Sequence, residues 1–236
     1  MINQLLTKSS LQNTYYALRH GQSLANVAKI ISSDPIISTV QHGLSSVGKE
    51  QATLAGETFA QQYIDDSENK KKYKGVAIFS SDFTRAKETA QLFTQQLHSY
   101  NIPLYTNTIH YKTTLRERYF GELNGGSDDQ YQKVWDVDCR DADHTRWGVE
   151  SANMVLGRTT GLICELDELL SSTTATTTSS SSEEKEENDK KWKVILVAHG
   201  DVLQILQTGF LKHEDASRHR SLDHLETATL RELMLV

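Results

Sequence analysis

Two histidines in this chain each close an apolar run and precede a glycine. Arg19-His20-Gly21 ends the run Tyr15-Tyr16-Ala17-Leu18, and His199-Gly200 ends Val194-Ile195-Leu196-Val197-Ala198. A third apolar run, Val76-Ala77-Ile78-Phe79, leads through Ser80-Ser81-Asp82-Phe83-Thr84 to Arg85, and Glu117 stands between Arg116 and Arg118. Guanidinium groups fork onto pairs of oxygens, and backbone N–H groups at a strand-to-helix turn add further donors, so imidazoles and arginines gathered at one crevice suit chemistry on an oxyanion. Taken singly these signals are weak. Arg-His-Gly is equally a structural histidine beside a surface arginine, Arg85 a solvated helix residue, and Glu117 part of a surface ion pair worth little.

The elements that must position these groups are legible in the pattern. The three apolar runs read as buried strands, each stopping at a turn that leads into helical spacing: Ser23 to Ile30, Thr84 to Leu97, and Val202 to Phe210. Ser45 is placed to cap a helix through Gln51, Leu54, Ala55, Phe59 and Tyr63, which ends in the Lys-rich stretch from Asp65 to Lys74. Ser80-Ser81-Asp82 reads as a turn and cap, and Ala86, Ala90, Phe93 and Leu97 share the inner face of the helix that follows. Another helix covers Ala152 to Leu170, with Val155, Leu162, Ile163, Leu166, Leu169 and Leu170 inside and Glu168 outside. Tyr119 to Trp147 has no sustained period and reads as an irregular excursion over the sheet edge, the kind of segment that carries function. Alternating strands and helices imply a three-layer α/β sandwich with a mainly parallel central sheet, its ligand site at the carboxyl ends of the strands.

Composition bounds the rest. At 236 residues, 37% hydrophobic and 24% charged, residues 1–236 are expected to form a single domain. The tract Ser171 to Ser182 and the charged run Glu183 to Lys191 bury too little apolar surface to offset their ordering entropy, so 171–191 is expected to be a disordered insertion. A solvated spacer is favoured there over a phosphorylation-controlled docking site. No apolar stretch approaches the roughly 20 residues of a membrane span, and Met1 to Leu11 lacks the features of a signal peptide, which points to a cytoplasmic protein without membrane partners. A net charge of −6 and the lack of a basic, aromatic-interleaved run argue against nucleic-acid binding. An anionic substrate would then rely on a local positive pocket. Cys139 and Cys164 have neither metal-ligand nor disulfide spacing and are read as reduced and structural. No grouping of carboxylates and histidines suggests a metal, and no cofactor is expected. The sequence is silent on oligomeric state.

Five blocks in order carry a family resemblance: Arg-His-Gly with Asn26 downstream, Ser-x-x-x-Arg-x-x-x-Thr-Ala around Arg85, Leu-x-Glu-x-x-x-Gly-x-x-x-Gly around Glu117, Gly148-Val149-Glu150-Ser151 with Arg158, and Ala-His-Gly at His199. Spanning Tyr16 to Gly200, they resemble the histidine phosphatase superfamily, also called phosphoglycerate mutase-like. They are most similar to phosphatases with an Arg-Glu-Arg-Tyr-Phe-Gly block and His-Gly-Asp after the second strand.

The resemblance implies that His20 is a nucleophile that becomes phosphohistidine, and that Arg19, Arg85 and His199 complete the phosphate pocket. It further implies that Asn26 helps hold the phosphate and that Glu117 donates a proton to the leaving oxygen and then activates water. The expected substrate is a small phosphorylated molecule. The physics fits such roles: nearby cations keep an attacking imidazole unprotonated, a bound phosphate raises a neighbouring carboxyl, and two guanidiniums compensate the charge of phosphoryl transfer.

Two departures stand out. Family mutases carry an adjacent arginine pair after the acid block, whereas Gly125 to Trp147 offers Lys133, Arg140 and Arg146 singly among several aspartates. That favours hydrolysis over mutase activity. Asp82 replaces the Pro of the Ser-Pro motif, which should alter the turn without removing Arg85. The leading reading is a phosphomonoesterase acting through phosphohistidine; the alternatives are a 2,3-bisphosphoglycerate-dependent phosphoglycerate mutase and a non-catalytic binding scaffold.

Overall fold

The computed structural model describes residues 2–172 and 190–236. Five strands form one sheet: β1 (Thr14–Arg19), β2 (Tyr73–Ser80), β3 (Leu104–Tyr111), β4 (Lys191–Ala198) and β5 (Leu230–Leu233), in the order β3-β2-β4-β1-β5. All neighbouring pairs are parallel except β1 with β5. The helices are α1 (Leu24–Ala28), α2 (Pro35–Ser38), α3 (Ser46–Asp65), α4 (Asn69–Lys72), α5 (Thr84–Ser99), α6 (Gln130–Asp138), α7 (Ala152–Ser172) and α8 (Gly200–Phe210).

Side chains alternate across the central strands, as a sheet covered on both faces requires. Tyr15, Ala17, Ala77, Phe79, Val194, Leu196 and Ala198 join one core with α7 and α8, while Tyr16, Leu18, Val76, Ile78, Ile195 and Val197 join the other with α3 and α5. The result is the three-layer sandwich, and its register places the site. Arg19 of β1 pairs with Ala198 of β4, and Ser80 of β2 with Val197, so the residues that follow all three strands emerge together.

Several local expectations change. The segment after His20 yields only the five-residue α1, and the crossover to β2 is carried mainly by α3, which Ser45 does cap through Gly48 N–H. Leu54 of α3 is exposed because small residues form the inner face: Ala52, Gly56 and Ala60 are buried, and a Cβ on Gly56 would come within 2.8 Å of the Phe93 carbonyl. Leu169 is also largely exposed, at the rim of the α7 face. The N-cap of α5 is Phe83, without a side-chain cap; Ser81 Oγ instead accepts Phe83 N–H at 3.3 Å.

The excursion from Tyr119 to Trp147 is more ordered than its composition suggests. It contains α6, and its Phe120, Leu123 and Val134 form a small core with Ile31 and Val149. Strands β3 and β5 carry too little apolar alternation to stand out, being edge strands with one partner each. At the borders of the 171–191 segment, Ser171 and Ser172 finish α7 and Lys191 opens β4; the expected disorder of 173–189 lies outside the described residues. Cys139 and Cys164 are free, and Cys139 is exposed rather than packed. Among the described residues no helix is long and apolar enough to cross a membrane.

Candidate active site

A cavity of about 220 Å³ opens at the carboxyl ends of β1, β2 and β4, lined among others by Arg19, His20, Asn26, Arg85, Glu117 and Asp201. The turn carrying His20 is built by close backbone approach. A Cβ on Gly21 would lie 2.4 Å from the Gly48 carbonyl oxygen, and one on Gly48 would lie 2.0 Å from that of Gln22, so α3 seats directly on the turn. Thr89 Oγ1 accepts Gly21 N–H at 3.1 Å and donates to the Arg85 carbonyl at 2.7 Å, tying the same turn to α5.

His20 is buried, and its hydrogen bonds define its tautomer. Nδ1 lies 2.7 Å from the Gly21 carbonyl oxygen, which only accepts, so Nδ1 carries the proton. Nε2 accepts from Arg85 Nε at 3.1 Å. Burial, then Arg85 and Arg19, hold the imidazole well below the usual histidine range, so Nε2 keeps a free electron pair at neutral pH.

Arg85 is fixed by Nη2 donating to the Ser32 carbonyl at 2.9 Å, while its buried Nη1 has no hydrogen-bond partner among the described residues. Arg19 Nε is buried and unpartnered in the same way, and Arg19 Nη1 donates to His224 Nε2 at 2.8 Å and the Leu225 carbonyl at 2.9 Å. Buried donors without partners are rare and call for an acceptor. Two of them on guanidiniums lining one cavity mark a place for an oxyanion.

The remaining expected residues fall in different positions. Asn26 stands at the exposed mouth of the cavity, and its Oδ1 accepts from both the N–H and hydroxyl of Ser23, closing the capping box of α1. Its amide nitrogen is the part left for a ligand. His199 does not line the cavity; it lies behind, edge-on to His20 with ring centroids 5.2 Å apart, and edge-on to Phe83. Its Nε2 meets Ser81 Oγ at 2.9 Å, and its buried Nδ1 has no hydrogen-bond partner among the described residues. Burial and Arg85 keep this ring neutral as well.

Glu117 is buried, not a surface ion pair. Its flanks are pinned separately. Arg116 forks onto Asp82 at 2.7 and 2.6 Å, so the residue standing where a proline was expected ties the acid loop to the turn after β2. Arg118 is wholly buried and forks onto Asp138 at 2.6 and 2.8 Å, with Nε on the Glu150 carbonyl. Arg158 clasps Glu150 and donates to the carbonyls of Thr114 and Arg116, bracing the loop from below. Burial pushes the Glu117 carboxyl up to about 7, opposed by Arg85, reinforced by Asp201, and opposed by the Arg118 N–H and Arg19. It therefore keeps its proton up to about neutral pH.

The outer wall comes from residues that local spacing does not single out. Tyr131 and Trp135 of α6 stack at 5.5 Å, and the Arg220 guanidinium lies 3.7 Å over the Trp135 ring. With His224 and Asp128 they line the cavity as well. None of Lys133, Arg140 and Arg146 lines the cavity; the cation on that wall comes instead from the C-terminal segment. The Asp201 in His-Gly-Asp was visible in the sequence, but the contribution of Arg220 and His224 depends on chain return after α8 and has no local signature. Among the described residues no cluster of histidines, cysteines and carboxylates is arranged to hold a metal ion.

Comparison with known proteins agrees with this architecture. The model of the histidine phosphatase superfamily (branch 1) matches residues 15–235. Curated relatives include a 2,3-bisphosphoglycerate-dependent phosphoglycerate mutase of Bartonella quintana (strain Toulouse), 27% identical over 124 residues covering 52% of this chain and 50% of the relative. A phosphoglycerate mutase of Schizosaccharomyces pombe is 27% identical over 132 residues, covering 55% and 53%. The chain thus aligns with about half the length of these relatives. Among solved structures, a mycobacterial glucosyl-3-phosphoglycerate phosphatase superposes with TM-score 0.64 at 22% identity, covering 93% of this chain and 90% of that one. A phosphoserine phosphatase mutant of Entamoeba histolytica gives TM-score 0.60 at 16% identity, covering 93% and 89%.

Proposed function

Because the chain belongs to the histidine phosphatase superfamily (branch 1), we propose that it is a phosphomonoesterase that hydrolyses a small phosphate ester through phosphohistidine at His20. The observation that carries this reading is the meeting, in one cavity, of an unprotonated His20 Nε2, two guanidiniums with buried unpartnered N–H donors, and a carboxyl that retains its proton.

In this mechanism Arg19 and Arg85 take the phosphoryl oxygens, with the Asn26 amide at the mouth. Arg85 Nε leaves His20 Nε2 for the phosphate, freeing the electron pair that forms the N–P bond. As the ester P–O bond breaks, Glu117 gives its proton to the leaving oxygen. The resulting carboxylate then takes a proton from water, the oxygen of that water bonds to phosphorus, the N–P bond breaks, and inorganic phosphate departs. His199, packed against His20, keeps its ring in line. Guanidinium compensation makes the scheme independent of a metal.

The neighbouring phosphatase structures support hydrolysis, while the curated sequence relatives favour mutase activity as the second reading. The lack of a basic residue from 125–147 in the cavity favours water as the acceptor. The experiment is a panel of phosphate esters assayed for released phosphate, with acid-labile phosphoenzyme trapped in parallel and 3-phosphoglycerate isomerisation assayed after priming with the bisphosphate. Release of phosphate with a trapped phosphoenzyme is expected. Isomerisation outpacing release would establish the mutase, and neither activity would refute catalysis.

A further inference from the structure

Asp201 is a buried carboxylate on the first turn of α8, two residues beyond His199, and it forms part of the cavity wall without a role in the scheme above. Its Oδ1 accepts the Trp135 indole N–H at 3.0 Å, and its Oδ2 lies 3.3 Å from Arg118 Nη1. The His219 ring, whose Nδ1 faces the Ala216 carbonyl at 2.8 Å, turns Nε2 toward Asp201 Oδ1 at 3.6 Å and Asp138 Oδ2 at 3.7 Å. Burial alone would favour the neutral acid, but His219, Arg118 and Arg220 outweigh it, and the helix terminus adds to them. Asp201 therefore stays ionised. Arg118 reaches Asp201 only by the longer contact, its short fork being spent on Asp138.

Glu117 shares the cavity wall with Arg19 from β1, Arg85 from α5, the Tyr131 phenol from α6 and Asp201 from α8, and its Oε1 accepts the backbone N–H of Arg118 at 3.0 Å. Two guanidiniums and an N–H all favour its carboxylate form. A group that must hold a proton needs opposing influences: burial is the largest, and the charged residue in the cavity wall that adds to it is Asp201. We propose that Asp201 is a positioning residue for the acid: a fixed negative charge in the cavity wall that retains the proton on Glu117 against Arg19 and Arg85, while its other oxygen holds Trp135 as the adjoining wall. The proposal rests on the reading of Glu117 as the proton donor. It makes Asp201, through Arg118 and Trp135, the link between acid strength and the shape of the leaving-group side.

The test compares Asp201→Asn, which keeps an oxygen for Trp135 but removes the charge, with Asp201→Glu, which keeps the charge, and Trp135→Phe, which breaks only the wall contact. Glu117 is followed by carbon-detected NMR titration of side-chain-labelled glutamate, its resonance assigned by loss in Glu117→Gln. Asp201→Asn is expected to lower the Glu117 midpoint by about 1 pH unit, the scale of one neighbouring charge. The alkaline limb of kcat/KM should move down equally for an alkyl ester found active in the panel, with a much smaller change for p-nitrophenyl phosphate, whose leaving group needs little protonation. Asp201→Glu and Trp135→Phe should keep the wild-type midpoint.

An unmoved midpoint in Asp201→Asn, or an equal shift in either companion variant, overturns the proposal. So does a loss of native near-ultraviolet circular dichroism in Asp201→Asn, which would assign Asp201 to the fold. If the wild type turns over no ester, the catalytic reading falls, and the NMR titration still decides the linkage between Asp201 and Glu117.

Discussion

Arg85 Nε donates to His20 Nε2 across 3.1 Å, while His20 Nδ1 is held at 2.7 Å by the carbonyl of the next residue, Gly21. The two contacts select one neutral tautomer and aim its electron pair at the group that must release it when an anion arrives. The resting site is a histidine capped by the arginine proposed to receive the phosphate. This arrangement gives the roles proposed for His20 and Glu117 different kinetic signatures.

His20→Ala is expected to abolish both turnover and acid-labile phosphoenzyme. Glu117→Gln keeps the shape of the site without a proton to give, and should lose about 10²–10⁴-fold on an ester with a poor leaving group. On p-nitrophenyl phosphate its phosphoenzyme burst should be far less impaired. Burst kinetics of both variants with both esters decides the matter: equal impairment of Glu117→Gln on the two, or phosphoenzyme in His20→Ala, removes the assignment.

The same carboxyl should weaken the fold above neutrality. Glu117 goes from 4.5 to about 7 on folding, so the native chain holds a proton that the unfolded chain gives up. Its contribution is complete below pH 4.5, declines as pH rises through 7, and stays lost above, on the order of 3 kcal/mol. Glu117→Gln is expected to melt higher than the wild type at pH 8 and to converge with it at pH 4. His20 and His199 act with the opposite sign: their depressed values make stability complete above 6.5 and progressively lost as pH falls below it. Thermal melts of the wild type, His20→Ala and Glu117→Gln across this range test both limbs.

Asp138→Ala should be among the most damaging single changes. It strips the buried Arg118 of its forked partner and leaves the longer contact to Asp201 as its ion pair, beside the Glu150 carbonyl, and it also removes the acceptor of His144 Nε2 at 2.9 Å. Breaking one side of a buried ion pair costs about 3–5 kcal/mol. Urea denaturation is the measurement. A loss below about 1 kcal/mol would mean that Arg118 finds water or another partner.

Gly48→Ala is expected to destabilise the chain by about 1–3 kcal/mol, the usual cost of overpacking. The new methyl would sit 2.0 Å from the Gln22 carbonyl oxygen, a backbone atom that yields only if the turn beyond His20 moves. Reduced kcat should accompany the lower Tm. A variant with unchanged melting and rate would show that the turn has room the geometry denies it.

Chelators should leave the proposed activity intact, because Arg19 and Arg85 already supply the charge a metal would offer. Phosphate release in EDTA equal to that in buffer is expected; a loss restored by Mg²⁺ or Mn²⁺ would contradict the scheme.

The sequence by itself determined the sandwich and the edge where its site lies. Apolar runs of strand length ending at Arg19-His20-Gly21 and His199-Gly200 encode both where a strand stops and which residues stand at its end, and period-2 alternation then commits each side chain to one face. Such information is local, so it survives in one dimension. Tertiary structure alone decided that Glu117 is buried, that Asp82 replaces a proline by gripping Arg116, and that Asp138, one aspartate among many in 125–147, neutralises Arg118. It also decided that His199 backs His20 instead of lining the cavity, and that Asp201 and Arg220 both meet Trp135 in the cavity wall. Burial of a charge and the identity of its partner depend on contacts between residues far apart in the chain, and residue type and spacing carry no record of them.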